Sequence, residues 1–546
     1  MPGRARAGRL AFACRSASSG FIQVSGSGEL LPDVGRLHEV GAALPAVTSD
    51  GAVASDPAAR PTVRAHGSLI NGLWNALSSG VVALVGLLSS VIVVRTLSPH
   101  DYGVMSYYLW LAGLCATLGM LAFAPSLTKV GAELMGAGHS QTADALAAWV
   151  GRTQAWINLG IAVALLLVAL LNPGNRVYLY LIAGLQLPTA LASVLSSRFW
   201  SHQNFRVVSL WNLLSSVVQL LLIVAVLRLS HNDPALAIPG LTFAVLSAGL
   251  TNWLGLSWQS RVFGRAPRVA PPADVLRHYL AFLLPASLAM IFETVVWQRS
   301  ELFFINRLGD AVQLGHYSLA YTIFAIFLSV GWALVTSYFP SIASDHGGGQ
   351  HHLVAQKLQQ GATLAVLYAA PISCGAVVTL PVLVELLYGA KMLPAVPIGQ
   401  MLLVSLVPSV LAGMYSLTVN AIGGIWRNVW LGLAIAAVNV ILDLTLIPRL
   451  GAFGGAVATV CAQCLYLVGL LLLAGRRFDL NVSWRRPAQI LAAALLTTLL
   501  LPALTLRLVG GLSGLALSVV LGGGLYALYV WKADLLTLLR PAAGAP

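Results

Sequence analysis

Charge is what this chain has least of: only 9% of its 546 residues are Asp, Glu, Lys or Arg, against 58% hydrophobic, and its mean hydropathy is +0.82. A soluble domain carries roughly a quarter charged residues, so a water-soluble fold is excluded. Polar linkers are also missing after Ala65, although a soluble chain of this length would divide into domains of roughly 100–200 residues. Cysteine is scarce. Cys14, Cys115, Cys374, Cys461 and Cys464 form no disulfide framework, and the last four lie inside apolar runs. Cys461 and Cys464 make a C-x-x-C with no second pair and no histidine nearby, so they are expected to pack on a helix. His351 and His352 follow Gly347, Gly348 and Gly349 and read as a solvated turn. No cofactor and no metal site are expected.

The net charge of +13 would suit nucleic acid if it lay along one face. Lys and Arg sit instead in short gaps between apolar runs, where they act as topology signals, and no nucleic-acid partner is expected.

What the chain does have is apolar runs long enough to cross a bilayer core about 30 Å thick, which takes roughly 20 residues of helix. They read as Leu69 to Val94, Val104 to Phe123, Ala155 to Leu171, Val177 to Leu195, Val207 to Leu227 and Ala237 to Leu256. After a basic gap from Ser257 to His278 come Tyr279 to Phe304, Tyr317 to Phe339, Ala362 to Leu387, Ile398 to Val419, Val429 to Ile447 and Gly454 to Ala474. Ala488 to Leu506 and Leu512 to Val530 close the series. The expected fold is therefore all-α, a polytopic bundle of fourteen membrane helices. Residues 1–65, rich in Ala, Gly, Arg, Ser and Pro, are expected to be disordered, either as a regulatory tail or as a stretch upstream of the true start.

Fourteen spans place both termini on one side. Lys and Arg are about twice as frequent in the gaps on the N-terminal side as in the others, led by Arg261, Arg265, Arg268, Arg277, Arg476, Arg477, Arg485 and Arg486. Basic residues mark the cytoplasmic side, so both termini are expected inside.

One long repeat is visible. Arg95-x7-Gly103-x2-Ser106 recurs as Arg307-x7-Gly315-x2-Ser318, and Pro125-Ser126-Leu127 recurs as Pro340-Ser341-Ile342. An even number of spans separates the copies, so the halves enter the membrane from the same side and should be related by a pseudo-twofold along the membrane normal, as in transporters with parallel repeats. This predicts a lobe over residues 66–260, a second over 261–478, and two further helices with a short tail over 479–546.

Polar side chains inside a membrane point to a bundle interior or a wet cavity, or simply hold helices together. Asn71, Asn75, Ser78 and Ser79 form a stripe on the first span, and Asn212, Ser215, Ser216 and Gln219 form one on the fifth. Asn75, Asn212 and Gln219 are cavity candidates. Asn439 and Asp443 are an i,i+4 pair on the eleventh span. Glu293 lies fourteen residues into the seventh span, about 21 Å deep, where a carboxylate needs a proton or a cation. Glu293 and Asp443 are coupling candidates. Arg299, Glu301 and Arg307 follow toward the outer end of that span, as an ion-pair cluster or as substrate contacts.

Three stretches carry a family likeness: Val94 to Gly103 (Val-Arg-Thr-Leu-Ser-Pro-His-Asp-Tyr-Gly), Gly315 to Ala320 (Gly-His-Tyr-Ser-Leu-Ala), and Asn439 through Leu446-Ile447-Pro448-Arg449-Leu450-Gly451 into Gly454-Gly455-Ala456. The chain resembles the polysaccharide exporters of the oligosaccharidyl-lipid flippase group, including the Wzx-type O-antigen flippases. That resemblance implies a two-lobed helical bundle in the bacterial inner membrane, flipping an undecaprenyl-diphosphate-linked oligosaccharide to the outer leaflet. Its implied partners are the bilayer, the lipid-linked oligosaccharide, a polysaccharide polymerase and glycosyltransferases. It also implies basic residues that meet the diphosphate, which planar guanidinium groups bind in pairs of hydrogen bonds. Arg95, Arg299 and Arg307 are the candidates, and Glu293 and Glu301 complete the set of cavity residues. Glu301 stands where the family commonly has Asp, and Asp443 where it commonly has Asn.

Two alternatives stand beside this reading. A cation-coupled multidrug or metabolite antiporter would use Glu293 and Asp443 as coupling sites. A membrane glycosyltransferase or polysaccharide polymerase would need a sizeable outer loop carrying paired carboxylates, a nucleophile with its base, or metal ligands. The outer gaps are short and hold none, so no catalytic residues are expected.

Overall fold

A computed structural model describes residues 65–546, apart from 203, 231–232, 264–269, 293–300, 348, 479–482, 510 and 534–546; for most of 65–80 it describes backbone only. The described residues contain helices and no strands. The expectation for residues 1–65 falls almost wholly outside them.

The first half comprises α1 (Ala65–Thr96), α2 (Pro99–Met120), α3 (Phe123–Gly136), α4 (Ser140–Leu171), α5 (Arg176–Ser201), α6 (Phe205–Leu229) and α7 (Pro234–Phe263). The second comprises α8 (Ala273–Phe292), α9 (Glu301–Leu308), α10 (Ala311–Thr336), α11 (Phe339–Gly347), α12 (His351–Tyr388), α13 (Ala395–Val404), α14 (Leu406–Ala421), α15 (Ile425–Leu450) and α16 (Ala452–Phe478). Last come α17 (Arg485–Ala494), α18 (Leu501–Val509) and α19 (Gly511–Lys532), with a π-helical stretch, Leu495–Leu500, between α17 and α18. Among the described residues, twelve stretches are long and apolar enough to cross a membrane. Together with α1, and with α8 and α9 as parts of one crossing, they make the expected bundle of about fourteen.

Local chemistry accounts for the helix starts. The Ser98 side chain accepts from the Asp101 N–H at 3.1 Å ahead of Pro99, and Asp310 accepts from the Gln313 N–H at 2.7 Å. These N-caps satisfy amides that have no helical partner, and the repeat aligns one with the other. It also aligns two breaks. The second and eighth spans, expected to end at Phe123 and Phe339, run on: α2 breaks at Leu121, whose φ is 42°, and resumes as α3, while α10 breaks at Ser337 and Tyr338 and resumes as α11. Pro125-Ser126-Leu127 and Pro340-Ser341-Ile342 lie in the resumed helices.

A break inside a membrane leaves carbonyls without partners, which is costly in lipid. Two buried amides meet those of α2, Gln154 donating to Met120 O (3.2 Å) and Asn158 to Gly119 O (3.2 Å), and a third, Gln186, donates to Cys115 O (2.9 Å) one turn earlier. Gln186 also donates to Asn158 Oδ1 at 2.9 Å, locking the three into one network.

Helices α1 to α7 pack mainly on one another, as do α9 to α16, giving two six-span lobes; α17 to α19 pack against α12. Tyr526 ties α19 to that helix by donating to Leu367 O at 2.9 Å. The seventh span is shared. Tyr279 of α8 donates to Phe123 O at 3.0 Å, whereas α9 packs on α10, α15 and α16. Large apolar side chains such as Leu167, Leu171, Trp430 and Val520 cover the outside, as a lipid solvent permits.

Candidate functional site

At one end the two lobes close on each other at the repeat. A Cβ at Gly103 would overlap Ala311 O and crowd Gly315 N; one at Gly315 would overlap Pro99 O and crowd Gly103 N. This reciprocity is what a twofold between the lobes produces, and the missing side chains let α2 and α10 meet backbone to backbone. Beside them Arg95, at the end of α1, donates to Leu387 O at 2.8 Å and to Leu386 O, the last carbonyls of α12. A cation at the C-terminal end of a helix is well placed against its dipole. Lys391, in the turn after α12, donates back to Arg95 O at 2.8 Å and to Leu97 O. Partial desolvation of its ammonium lowers the Lys391 pKa.

Away from that closure lies a cavity of about 900 Å³ between α2 on one side and α10, α14, α15 and α16 on the other. Its described lining carries no Asp, Glu, Lys or Arg. Its polar wall centres on Asn428: Nδ2 donates to Ser416 Oγ (2.8 Å) and Asn420 Oδ1 (2.9 Å), and Oδ1 accepts from the Tyr466 hydroxyl (2.8 Å). Ser409 and Gln463 line the same space, with Trp110 and Trp332 as aromatic surfaces. None of these was singled out from sequence. The signal was present in Asn420 and Asn428, two amides flanking Gly423-Gly424 between apolar runs, but their convergence with Tyr466 requires the packing of three helices.

A second polar cluster is buried in the second lobe. Thr459 of α16 donates to Glu301 Oε1 at 2.9 Å and also reaches Gly455 O. Asn439 Nδ2 lies 3.5 Å from the same Glu301 oxygen and 3.4 Å from Asp443 Oδ2. Glu301 is 4% exposed and Asp443 0%, and Asp443 Oδ1 has no hydrogen-bond partner among the described residues. Among the described residues neither carboxylate forms an ion pair. Two buried carboxyl groups among neutral oxygen ligands can hold a proton or a small hard cation, which oxygen ligands suit. No group of three or more His, Cys, Asp or Glu is found among the described residues.

The structure thus brings Glu301 and Asp443 together through Asn439, away from the cavity lining. Arg95 and Arg307 sit exposed at the closed end, at the last turns of α1 and α9. Asn212 accepts from Asn252 Nδ2 at 3.0 Å, joining α6 to α7, and Gln219 is half-buried on α6. Asn75 is on α1, with its side chain outside the described residues, as are Glu293 and Arg299 altogether.

Two helical lobes enclosing a polar-walled cavity have the fold of multi-pass membrane transporters. The chain belongs to the polysaccharide biosynthesis protein family, whose profile matches residues 68–345. It is similar in fold to a lipid II flippase, MurJ, in an inward closed conformation, with a TM-score of 0.64 and 13% identity over 85% of this chain and 99% of that one. An inward-facing multidrug resistance MATE family transporter of the MOP superfamily gives 0.62 at 15% identity, over 73% of this chain and 95% of that one. A MATE structure in complex with MaD5 gives 0.53 at 15% identity, over 76% and 96%. No match is found among curated proteins.

Proposed function

We propose that the chain flips an undecaprenyl-diphosphate-linked oligosaccharide, the repeat unit of an O-antigen, capsule or exopolysaccharide, across the bacterial inner membrane by alternating access. The lobes are residues 66–260 and 261–478, and residues 479–546 add α17 to α19 beside α12 and a short cytoplasmic tail. Both termini are cytoplasmic, which makes the closed end at Gly103 and Gly315 the outer one and turns the cavity toward the cytoplasm. The observation that carries this reading is a cavity of about 900 Å³ between the two lobes of a polysaccharide biosynthesis family member. A carrier needs such a space to move a polar head group without opening a pore, and a likeness in fold to a lipid II flippase agrees with it.

Opening of the outer end frees Arg95 from the α12 carbonyls, and Arg95, Arg299 and Arg307 receive the diphosphate as it leaves. The chain is a carrier and catalyses no bond change. Glu301 and Asp443, with Glu293 nearer the middle of the span, couple the cycle to a proton or sodium ion. The test is reconstitution in liposomes with lipid-linked oligosaccharide extracted from a strain that lacks this protein and accumulates it. Protein-dependent movement between leaflets supports the reading, and movement equal to protein-free liposomes refutes it.

A second reading, a cation-coupled multidrug or metabolite antiporter, draws on the same buried carboxylates and on the likeness to MATE transporters. Drug resistance in hypersensitive cells without any glycan phenotype would decide for it.

A further inference from the structure

Within the flippase reading, we propose that the Asn428 wall of the cavity is the site that recognises the saccharide itself, that it takes uncharged sugar rings, and that the diphosphate is held elsewhere. Sugar hydroxyls both donate and accept. A protein surface that selects them therefore needs groups of both kinds in fixed positions, which amides and hydroxyls provide. Asn428 is such a fixed point, with both ends of its amide engaged by Ser416, Asn420 and Tyr466 at 2.8–2.9 Å.

The cluster is not closed on itself. Asn420 Oδ1 accepts from Asn428, while its amide nitrogen has no partner among the described residues. Gln463 lines the same cavity, and its side chain has no hydrogen-bond partner among the described residues. A set of residues serving only to glue helices together would satisfy its own members, because a buried polar group without a partner is costly. Here the open groups face one space, and a ligand hydroxyl would complete them.

The remaining lining supports the same chemistry. Trp110 and Trp332 present aromatic surface, which packs against the apolar C–H faces of a pyranose. The described lining holds no charged side chain, whereas a diphosphate out of water needs Arg or Lys. Among the described lining residues no cation stands to pair with the carboxylate of an acidic sugar. The volume of about 900 Å³ falls among ligand sites, roughly 300–1,000 Å³.

The experiment measures binding to the full chain in nanodiscs by native mass spectrometry. The probes are undecaprenyl diphosphate alone and the glycosylated lipid that accumulates in cells lacking the protein. The glycosylated lipid should bind at least tenfold tighter than the bare one. Asn428→Ala should erase that difference while changing bare-lipid affinity less than twofold. Gln463→Ala removes an amide with no protein partner among the described residues, so it should leave the melting temperature within a few degrees and still weaken the glycosylated lipid at least threefold. A purely structural cluster gives no such loss, and normal binding by Q463A would overturn the assignment even where N428A fails to fold. If both lipids bind wild-type protein equally, the saccharide site is wrong and the flippase reading stands. If no lipid accumulates or neither lipid binds, the flippase reading falls and the site with it.

Discussion

Gly103 and Gly315 occupy each other's side-chain space: the Cβ that either lacks would lie against the backbone of the other's helix. The repeat aligns them, and they meet where α2 and α10 begin. Gly103→Ala or Gly315→Ala should therefore pry the lobes apart at this end, and Val should do so further. We expect transport to fall at least tenfold in protein that still reaches the membrane. A cysteine placed at Val104 should at the same time become more reactive to an impermeant reagent added outside. Wild-type transport and unaltered labelling in G103A would show that the close approach is not needed.

Arg95 and Lys391 tie the same end together through main-chain carbonyls: Arg95 to the last carbonyls of α12, Lys391 to Arg95 and Leu97. Hydrogen bonds to charged groups contribute about 1.5–3 kcal/mol when sheltered, and less here because both side chains are exposed. Arg95→Ala with Lys391→Ala should shift the conformational balance several-fold toward opening. Spin labels on the α1–α2 and α12–α13 connections would then report a longer distance population. Identical distance distributions in the double variant and wild type would remove the latch from the mechanism.

Glu301 and Asp443 share Asn439 as a neighbour in a pocket with no described ion pair. A cation that binds only the folded protein stabilises it by about 2.7 kcal/mol at a hundredfold excess over Kd. In detergent, sodium in place of potassium, or a lower pH if the ligand is a proton, should raise the melting temperature. Glu301→Gln and Asp443→Asn should abolish that rise and reduce transport at least tenfold. A wild-type melting temperature indifferent to sodium, potassium and pH would dismiss the pair as a coupling site.

The amides Gln154 and Asn158 cover carbonyls at the α2 break, and Gln186 holds Asn158 by donating to its side-chain carbonyl. Asn158→Leu or Gln186→Leu should cost about 1–3 kcal/mol, the penalty for leaving a buried carbonyl unmade, and lower the melting temperature by several degrees. Wild-type stability in both variants would mean that water or a rearranged backbone serves those carbonyls instead.

Much of the fold was legible before any coordinates, because each apolar run from Val104 onward is a local signal. The helix starts at Ser98 and Asp310 were written into the same stretches that carry the repeat. The extents of the second and eighth spans were not, since the breaks near Leu121 and Ser337 interrupt helices whose apolar character continues past them. The site was legible only in pieces. Asp443 and Glu301 both stood out as charges in apolar surroundings, but nothing in either neighbourhood says that one Asn joins them. Ser416, Asn428 and Tyr466 did not stand out, being ordinary polar residues until three helices place them together.

Composition alone determined that this protein lives in a bilayer as helices, since a backbone surrounded by hydrocarbon must satisfy its own hydrogen bonds and a helix does so within one segment. Tertiary structure decided that Asn439 lies between the two carboxylates, where the polar wall stands, and that the closed end is sealed by glycine against glycine. Lipid is as apolar as leucine, so hydrophobicity gives membrane helices little reason to choose one neighbour over another. The choice falls to small residues and paired polar groups, whose partners lie far away in the chain.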